Sequence, residues 1–166
     1  MALHVTVHPG KCTGCRLCEL ACSEAKAGVY RPSVSRIRVV NFLKEGVSVP
    51  LLCRQCDECG PLDICPEDAI SRAADGAAVL VDDSLCTGCG RCSSECPYGA
   101  LSFDPDTGRL LLCDLCGGEP ACVGLCFTDA ICGSDSVVPA TRADAGDYVQ
   151  LLKSEVLRDR ASVEKG

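Results

Sequence analysis

The chain has 166 residues and a formal net charge of −7. The length suits one or two small domains. The acidic balance argues against a nucleic-acid partner, which needs a basic face, and no apolar run approaches the roughly 18 residues of a membrane span. Cysteine occurs 17 times, while Trp is absent and Phe and Tyr contribute three residues each. A conventional aromatic core is therefore lacking, and whatever the cysteines hold must do much of the organising.

Residues 2–8 alternate apolar and polar and predict a strand; Pro9-Gly10 turns the chain towards the first cysteines. Residues 17–27 predict a short helix carrying Cys18 and Cys22. Four apart, these two share one face, separated by a rise of about 6 Å. Residues 36–42 and 47–52 predict a hairpin around Lys44-Glu45-Gly46, and Pro50 marks an edge or a strand end. Residues 78–82 predict a strand; residues 100–104 and 109–112 predict a second pair across Pro105-Asp106-Thr107-Gly108. Residues 134–144 are small and polar, a linker. Residues 145–160 predict a helix with Tyr148, Val149, Leu152 and Val156 on one face. That face either covers the protein's own core or docks onto a partner. One local pattern recurs: Pro66-Glu-Asp-Ala69-Ile70, Pro97-Tyr-Gly-Ala100-Leu101 and Phe127-Thr-Asp-Ala130-Ile131.

Sixteen of the cysteines form four groups: Cys12, Cys15, Cys18, Cys22; Cys53, Cys56, Cys59, Cys65; Cys86, Cys89, Cys92, Cys96; and Cys113, Cys116, Cys122, Cys126. In the run from Cys86 to Cys96, a tight loop with two residues between cysteines turns three side chains around one small object, and the fourth, a helical turn later, points away from it. Gly88 and Gly90 are expected to let the backbone approach that object, and Pro97 stops a regular helix. A disulfide scaffold fits poorly: close triplets are bad partners, the count is odd, and Met1 to Gly10 hold no cationic start followed by an apolar run. Structural zinc favours separated pairs, often with histidine, yet His4 and His8 both precede the first cysteine.

The run Cys86-Thr-Gly-Cys89-Gly-Arg-Cys92-Ser-Ser-Glu-Cys96-Pro97 resembles the ligand run of bacterial two-cluster ferredoxins, whose fourth thiolate serves the other cluster. Four such groups resemble, over residues 3–133, the four-cluster electron-transfer subunits of the dimethyl sulfoxide reductase, formate dehydrogenase and hydrogenase type. In compactness the chain looks most like the small iron–sulfur subunit of bacterial tungsten aldehyde oxidoreductases. The resemblance implies an α+β, duplicated bacterial ferredoxin-like fold with a C-terminal helix. Residues 1–52 with 105–133 would form an outer module, 53–104 an inner module, and 134–166 a linker and partner-docking helix. It further implies four [4Fe-4S] clusters. The first would take Cys12, Cys15, Cys18 and Cys126; the second Cys22, Cys113, Cys116 and Cys122; the third Cys53, Cys56, Cys59 and Cys96; the fourth Cys65, Cys86, Cys89 and Cys92. Two departures stand out. Cys59 lies six residues before Cys65, with Pro61 where the family places its cysteine. Cys132 has no family role and is expected to be a buried small hydrophobe.

The function so implied is one-electron transfer in the cytoplasm. A catalytic subunit bearing a tungsten or molybdenum pterin, of aldehyde or formate type, would supply electrons to a flavin/NAD subunit, a quinone module or a ferredoxin. Alternatives are a freestanding polyferredoxin carrier and a head-to-tail conducting filament clasped by the C-terminal helix. No nucleophile–base pair, Walker loop or dinucleotide fingerprint points to substrate chemistry on this chain. All-cysteine ligation suits potentials around −400 mV, and Asp57, Glu58, Asp63 and Asp114 would make reduction harder. Metal binding supplies folding free energy in small cysteine-rich domains. Iron-free protein is therefore expected to be largely unfolded by circular dichroism; a cooperative, native-like urea transition in that material would contradict this.

Overall fold

The computed structural model describes residues 4–134 and 148–163. In chain order the elements are β1 (His4–Val7), α1 (Leu17–Ala27), β2 (Arg38–Phe42), β3 (Val47–Leu51), α2 (Gly60–Ile64), β4 (Ile70–Arg72), β5 (Val79–Val81), α3 (Arg91–Glu95), β6 (Ser102–Phe103), β7 (Leu110–Leu111), α4 (Ala121–Gly124), β8 (Ile131–Ser134) and α5 (Tyr148–Val163). Among the described residues the strands pair two by two, all antiparallel: β1 with β8, β2 with β3, β4 with β5, and β6 with β7. The result is a small mixed helix-and-strand fold, and the two hairpins expected from sequence are both present. The β1–β8 pair joins the two ends of the cysteine-bearing region, with His4 opposite Ser134 and Val7 opposite Ile131.

α1 begins immediately after Arg16, whose φ of 60° breaks the preceding loop, and ends at Gly28 in the left-handed region. The Gly28 N–H donates to the Glu24 carbonyl at 2.8 Å, closing the last turn. Its buried face carries Cys18, Ala21 and Cys22. Glu19 is buried on that face as well, and its carboxylate accepts the Val39 N–H of β2 at 2.7 Å. A buried carboxylate needs such a partner, so this bond pins α1 to the first hairpin.

The recurring sequence pattern is one turn used three times. Asp68, Gly99 and Asp129 have φ of 48°, 58° and 54°. Their N–H groups donate to the carbonyls of Cys65, Cys96 and Cys126 at 3.4, 3.3 and 3.2 Å. Asp and Gly tolerate this left-handed geometry better than other residues. The following Ala69-Ile70, Ala100-Leu101 and Ala130-Ile131 are then driven inward and buried. Each turn thus converts a cysteine loop into a core segment.

Three apolar clusters form the interior. One joins Ile37, Val39, Leu52 and Ile131 to Cys18, Cys22 and Cys122. Another joins Ile70, Val79, Leu101, Leu110 and Leu112 to Cys92. The hairpin β6–β7, which straddles the expected boundary at 104/105, places Phe103 and Leu110 in this second cluster. The third cluster seats Tyr148, Leu152 and Val156 of α5 against Val47, Val49 and Leu51 of β3, with Tyr98 and Ala100. Lys153 pairs with Glu45 at 2.5 Å and lies 4.5 Å from the centre of the Phe42 ring. The apolar face of α5 is thus spent on the protein's own hairpin. The face left open carries Leu151 and Leu157, which any docking by this helix would have to use. Of the expected linker, residues 135–144 lie outside the described residues.

Cys132 departs from expectation: it is half-buried. On a strand, side chains alternate between faces. Its neighbour Ile131 takes the inward position at 2 % exposure, so Cys132, opposite Thr6, faces the other side.

Candidate metal centres

The cysteines gather into four quartets, each drawing on two separated stretches of chain. Cys12, Cys15, Cys18 and Cys126 line one cavity, beside Arg16, Leu17 and Leu125. Cys53, Cys56, Cys59 and Cys96 line another, with Arg54, Pro61 and Tyr98 in its wall. Cys65, Cys86, Cys89 and Cys92 line a third, under Phe103 and Leu110. Cys22, Cys113, Cys116 and Cys122 lie close enough to act on one another electrostatically. These are the four sets the resemblance implies. Cys59 joins its set despite the irregular spacing. It sits immediately before α2, whose buried Pro61 occupies the first turn, where a missing N–H costs nothing.

Neighbouring quartets are linked. α1 carries Cys18 of the first and Cys22 of the second, and Cys122 of the second acts on Cys18. Cys53 of the third acts on Cys113 of the second. α3 carries Cys92 of the fourth and ends at Cys96 of the third. The quartets therefore form a series, first to fourth. The middle cysteine of the loop is exposed in both end quartets, Cys15 and Cys89.

Burial disfavours the charged form of several of these thiols. Burial pushes Cys18, Cys113 and Cys122 up to about 12, Cys92 up to about 11, and Cys53 well above the usual thiol range. Cys126 goes the other way: burial would raise it, but the Ile131 N–H at 3.3 Å and the Thr128 hydroxyl outweigh that. Further N–H groups aim at sulfur, from Arg36 to Cys22 at 3.2 Å and from Gln55 to Cys53 at 3.4 Å. Such donors favour a charged sulfur, while burial without a metal would keep these thiols protonated. All-thiol sets with N–H donors on their sulfurs fit an iron–sulfur cluster. A single zinc ion would hold four sulfurs about 2.3 Å from one point. Among the described residues no three His, Cys, Asp or Glu side chains gather tightly enough for one ion.

Several supporting residues were not evident from sequence. Gln55 is buried with φ 53°; its Nε2 donates to the Cys113 carbonyl at 2.7 Å and its Oε1 accepts the Val79 N–H at 2.6 Å. It thereby fastens the second quartet to the third. Asp114, expected to oppose reduction, is compensated: Lys26 and Arg36 reach its carboxylate at 2.7 and 2.8 Å. Burial works against its ionisation, but the Lys26 hydrogen bond, the Cys116 N–H and the Arg36 charge hold the carboxyl below its usual range. Gly88 has a further constraint not evident from sequence. A Cβ there would lie 2.4 Å from the Gly108 carbonyl oxygen, so the β6–β7 turn by itself already excludes a side chain.

Quartets of thiols closed crosswise along the chain are the arrangement of an iron–sulfur protein. Residues 45–135 match the model of the 4Fe-4S dicluster domain, and the chain belongs to that family. It is 40 % identical over 122 residues to the polyferredoxin-like subunit of an aliphatic sulfonate oxidoreductase from Pyrococcus furiosus, covering 74 % of this chain and 70 % of that one. It is 31 % identical over 140 residues to a subunit of the anaerobic dimethyl sulfoxide reductase of Escherichia coli, covering 72 % and 67 %. One polypeptide of the BamBC active-site complex of benzoyl coenzyme A reductase aligns at 31 % identity and TM-score 0.49, covering 80 % and 78 %. The protein is accordingly an iron–sulfur electron-transfer subunit of the kind found in oxidoreductase complexes. No described helix is long and apolar enough to cross a membrane.

Gly88 and Gly90 offer a controlled comparison. Both are left-handed, with φ of 69° and 78°, but only Gly88 meets backbone; nothing lies within 4 Å of a Cβ at Gly90. Gly90→Ala should cost about 1–2 kcal/mol, the strain of a left-handed residue. Gly88→Ala should cost more, because a backbone carbonyl must move. Thermal unfolding of the two iron-loaded variants checks this; equal melting temperatures would contradict the assignment.

Proposed function

We propose that the sixteen grouped cysteines hold four [4Fe-4S] clusters in two ferredoxin-like modules, and that the chain conducts electrons between a catalytic oxidoreductase subunit and an acceptor. The observation that carries this reading is the crosswise closure of the quartets. Cys126 comes back to the first group, Cys22 goes out to the last, and Cys96 and Cys65 are exchanged between the two middle groups. This exchange of the fourth ligand is the habit of two-cluster ferredoxins, and its occurrence twice supports an outer and an inner module.

The clusters would supply reversible one-electron chemistry. The chain's own residues do the rest. Thiolates anchor each group, and N–H donors from Arg36, Gln55 and Ile131 hold the sulfurs' charge. The apolar clusters keep water from Cys18, Cys22, Cys92 and Cys122, all of them buried. The serial linkage of quartets removes the need for a mobile carrier, and the exposed Cys15 and Cys89 suit exchange with partners at either end. The Pyrococcus relative is a subunit of an oxidoreductase, which supports a catalytic partner for this chain. A tungsten- or molybdenum-pterin subunit of aldehyde type, with a flavin/NAD subunit or ferredoxin as acceptor in the cytoplasm, is the specific arrangement we favour.

Anaerobically purified protein should contain about sixteen irons and sixteen sulfides, and native purification should bring a larger subunit with it. Cys96→Ala should remove about four irons and Cys132→Ala none. Zinc in place of iron would overturn the reading, as would iron content unaffected by Cys96→Ala. Purification without a larger subunit would favour the freestanding carrier.

A further inference from the structure

The third quartet differs from the others in having a polar aromatic group in its wall. Tyr98 is buried at 4 % exposure, lines the cavity and belongs to the apolar cluster against which Cys56 packs, with its hydroxyl placed to hydrogen-bond the Cys56 thiol. Arg54, one residue past Cys53, lines the same cavity, and its positive charge acts on Cys56. Both groups are held by one residue of the C-terminal helix. The Tyr148 ring meets the Tyr98 ring edge-on, centroids 5.0 Å apart and planes at 89°, a favourable aromatic geometry. The same ring lies 5.3 Å from the Arg54 guanidinium, which also donates a short hydrogen bond to the Tyr148 hydroxyl. Tyr148 is itself buried between these groups and β3.

We propose that α5 sets the reduction potential of the group held by Cys53, Cys56, Cys59 and Cys96, with Tyr148 holding the Tyr98 hydroxyl and the Arg54 guanidinium against Cys56. The proposal rests on the reading that this quartet holds a cluster. Reduction adds one negative charge, shared with the ligand sulfurs. A hydrogen bond to a ligand sulfur and a nearby cation both stabilise that charge and so raise the potential. The packed rings also keep water away, which makes the hydrogen bond stronger than it would be in solvent. Tyr98 therefore tunes through direct contact with a ligand. Tyr148 and Arg54 are a positioning residue and a charge. The C-terminal helix, which contributes no cysteine, becomes part of the electron path by adjusting one step of it.

The test is a redox titration of the iron-loaded protein followed by electron paramagnetic resonance. The third cluster's signal is identified as the one altered in Cys56→Ser. In Tyr98→Phe, which keeps the ring stack, this one signal should move to lower potential by roughly a tenfold change in the reduction equilibrium, about 59 mV for one electron. Tyr148→Leu keeps an apolar side chain over the cavity but releases both groups, and should move the same signal in the same direction. Iron content and melting temperature of Tyr98→Phe should stay at wild-type values. An unmoved signal, or equal shifts of all clusters, would overturn the proposal; so would loss of four irons from Tyr98→Phe, which would make Tyr98 an assembly residue. Wild-type protein lacking iron at this quartet would instead remove the reading beneath it, and the iron analysis distinguishes the two.

Discussion

The rest of this molecule follows from gathering sixteen thiols into four quartets, several of them in the interior, where burial disfavours a charged sulfur unless a cation stands beside it. Desolvation pushes Cys18, Cys113 and Cys122 to about 12. At neutral pH such groups contribute little as free thiols beyond a small apolar surface. They occupy the centres of the apolar clusters nonetheless: Cys18, Cys22 and Cys122 in one, Cys92 in another. The interior is therefore arranged around what the sulfurs bind, with aliphatic side chains filling the gaps between quartets.

The same constraint dictates topology. Each quartet takes three thiols from one stretch and one from another, so distant segments must return to each other. Cys126 can reach the first group because β8 lies beside β1 and the His8 N–H donates to the Ala130 carbonyl at 2.8 Å. Cys96 can reach the second group because the turn at Gly99 buries Ala100 against the first hairpin. The strands are only two to five residues long and would be marginal alone. Their role is to set the return paths of the ligand loops.

Much of this was legible in the residues. The bounds of α1, the two hairpins and the apolar face of α5 followed from periodicity and turn chemistry, because each is decided within a few neighbouring residues. The cysteine spacings marked sixteen ligand candidates, and the partition into quartets came with the family resemblance. What could not be read were contacts between residues far apart in sequence. Gln55 to Val79, Tyr148 to Arg54 and Tyr98, and Lys26 to Asp114 leave no local pattern. Cys132 was misjudged because burial on a two-stranded ribbon depends on which face meets the core, and the pairing of β1 with β8 was not foreseen. The contact between Gly88 and the Gly108 carbonyl was likewise hidden, since that carbonyl belongs to a turn twenty residues on.

The central claim is that four separate groups of iron sit in series inside the cysteine quartets. Anomalous X-ray diffraction at the iron edge, on crystals of anaerobically purified protein, tests it most directly. The account predicts four distinct iron maxima, one in each quartet, ordered from Cys15 at one end to Cys89 at the other. Iron in only two of the quartets, or anomalous signal at the zinc edge in their place, would contradict it.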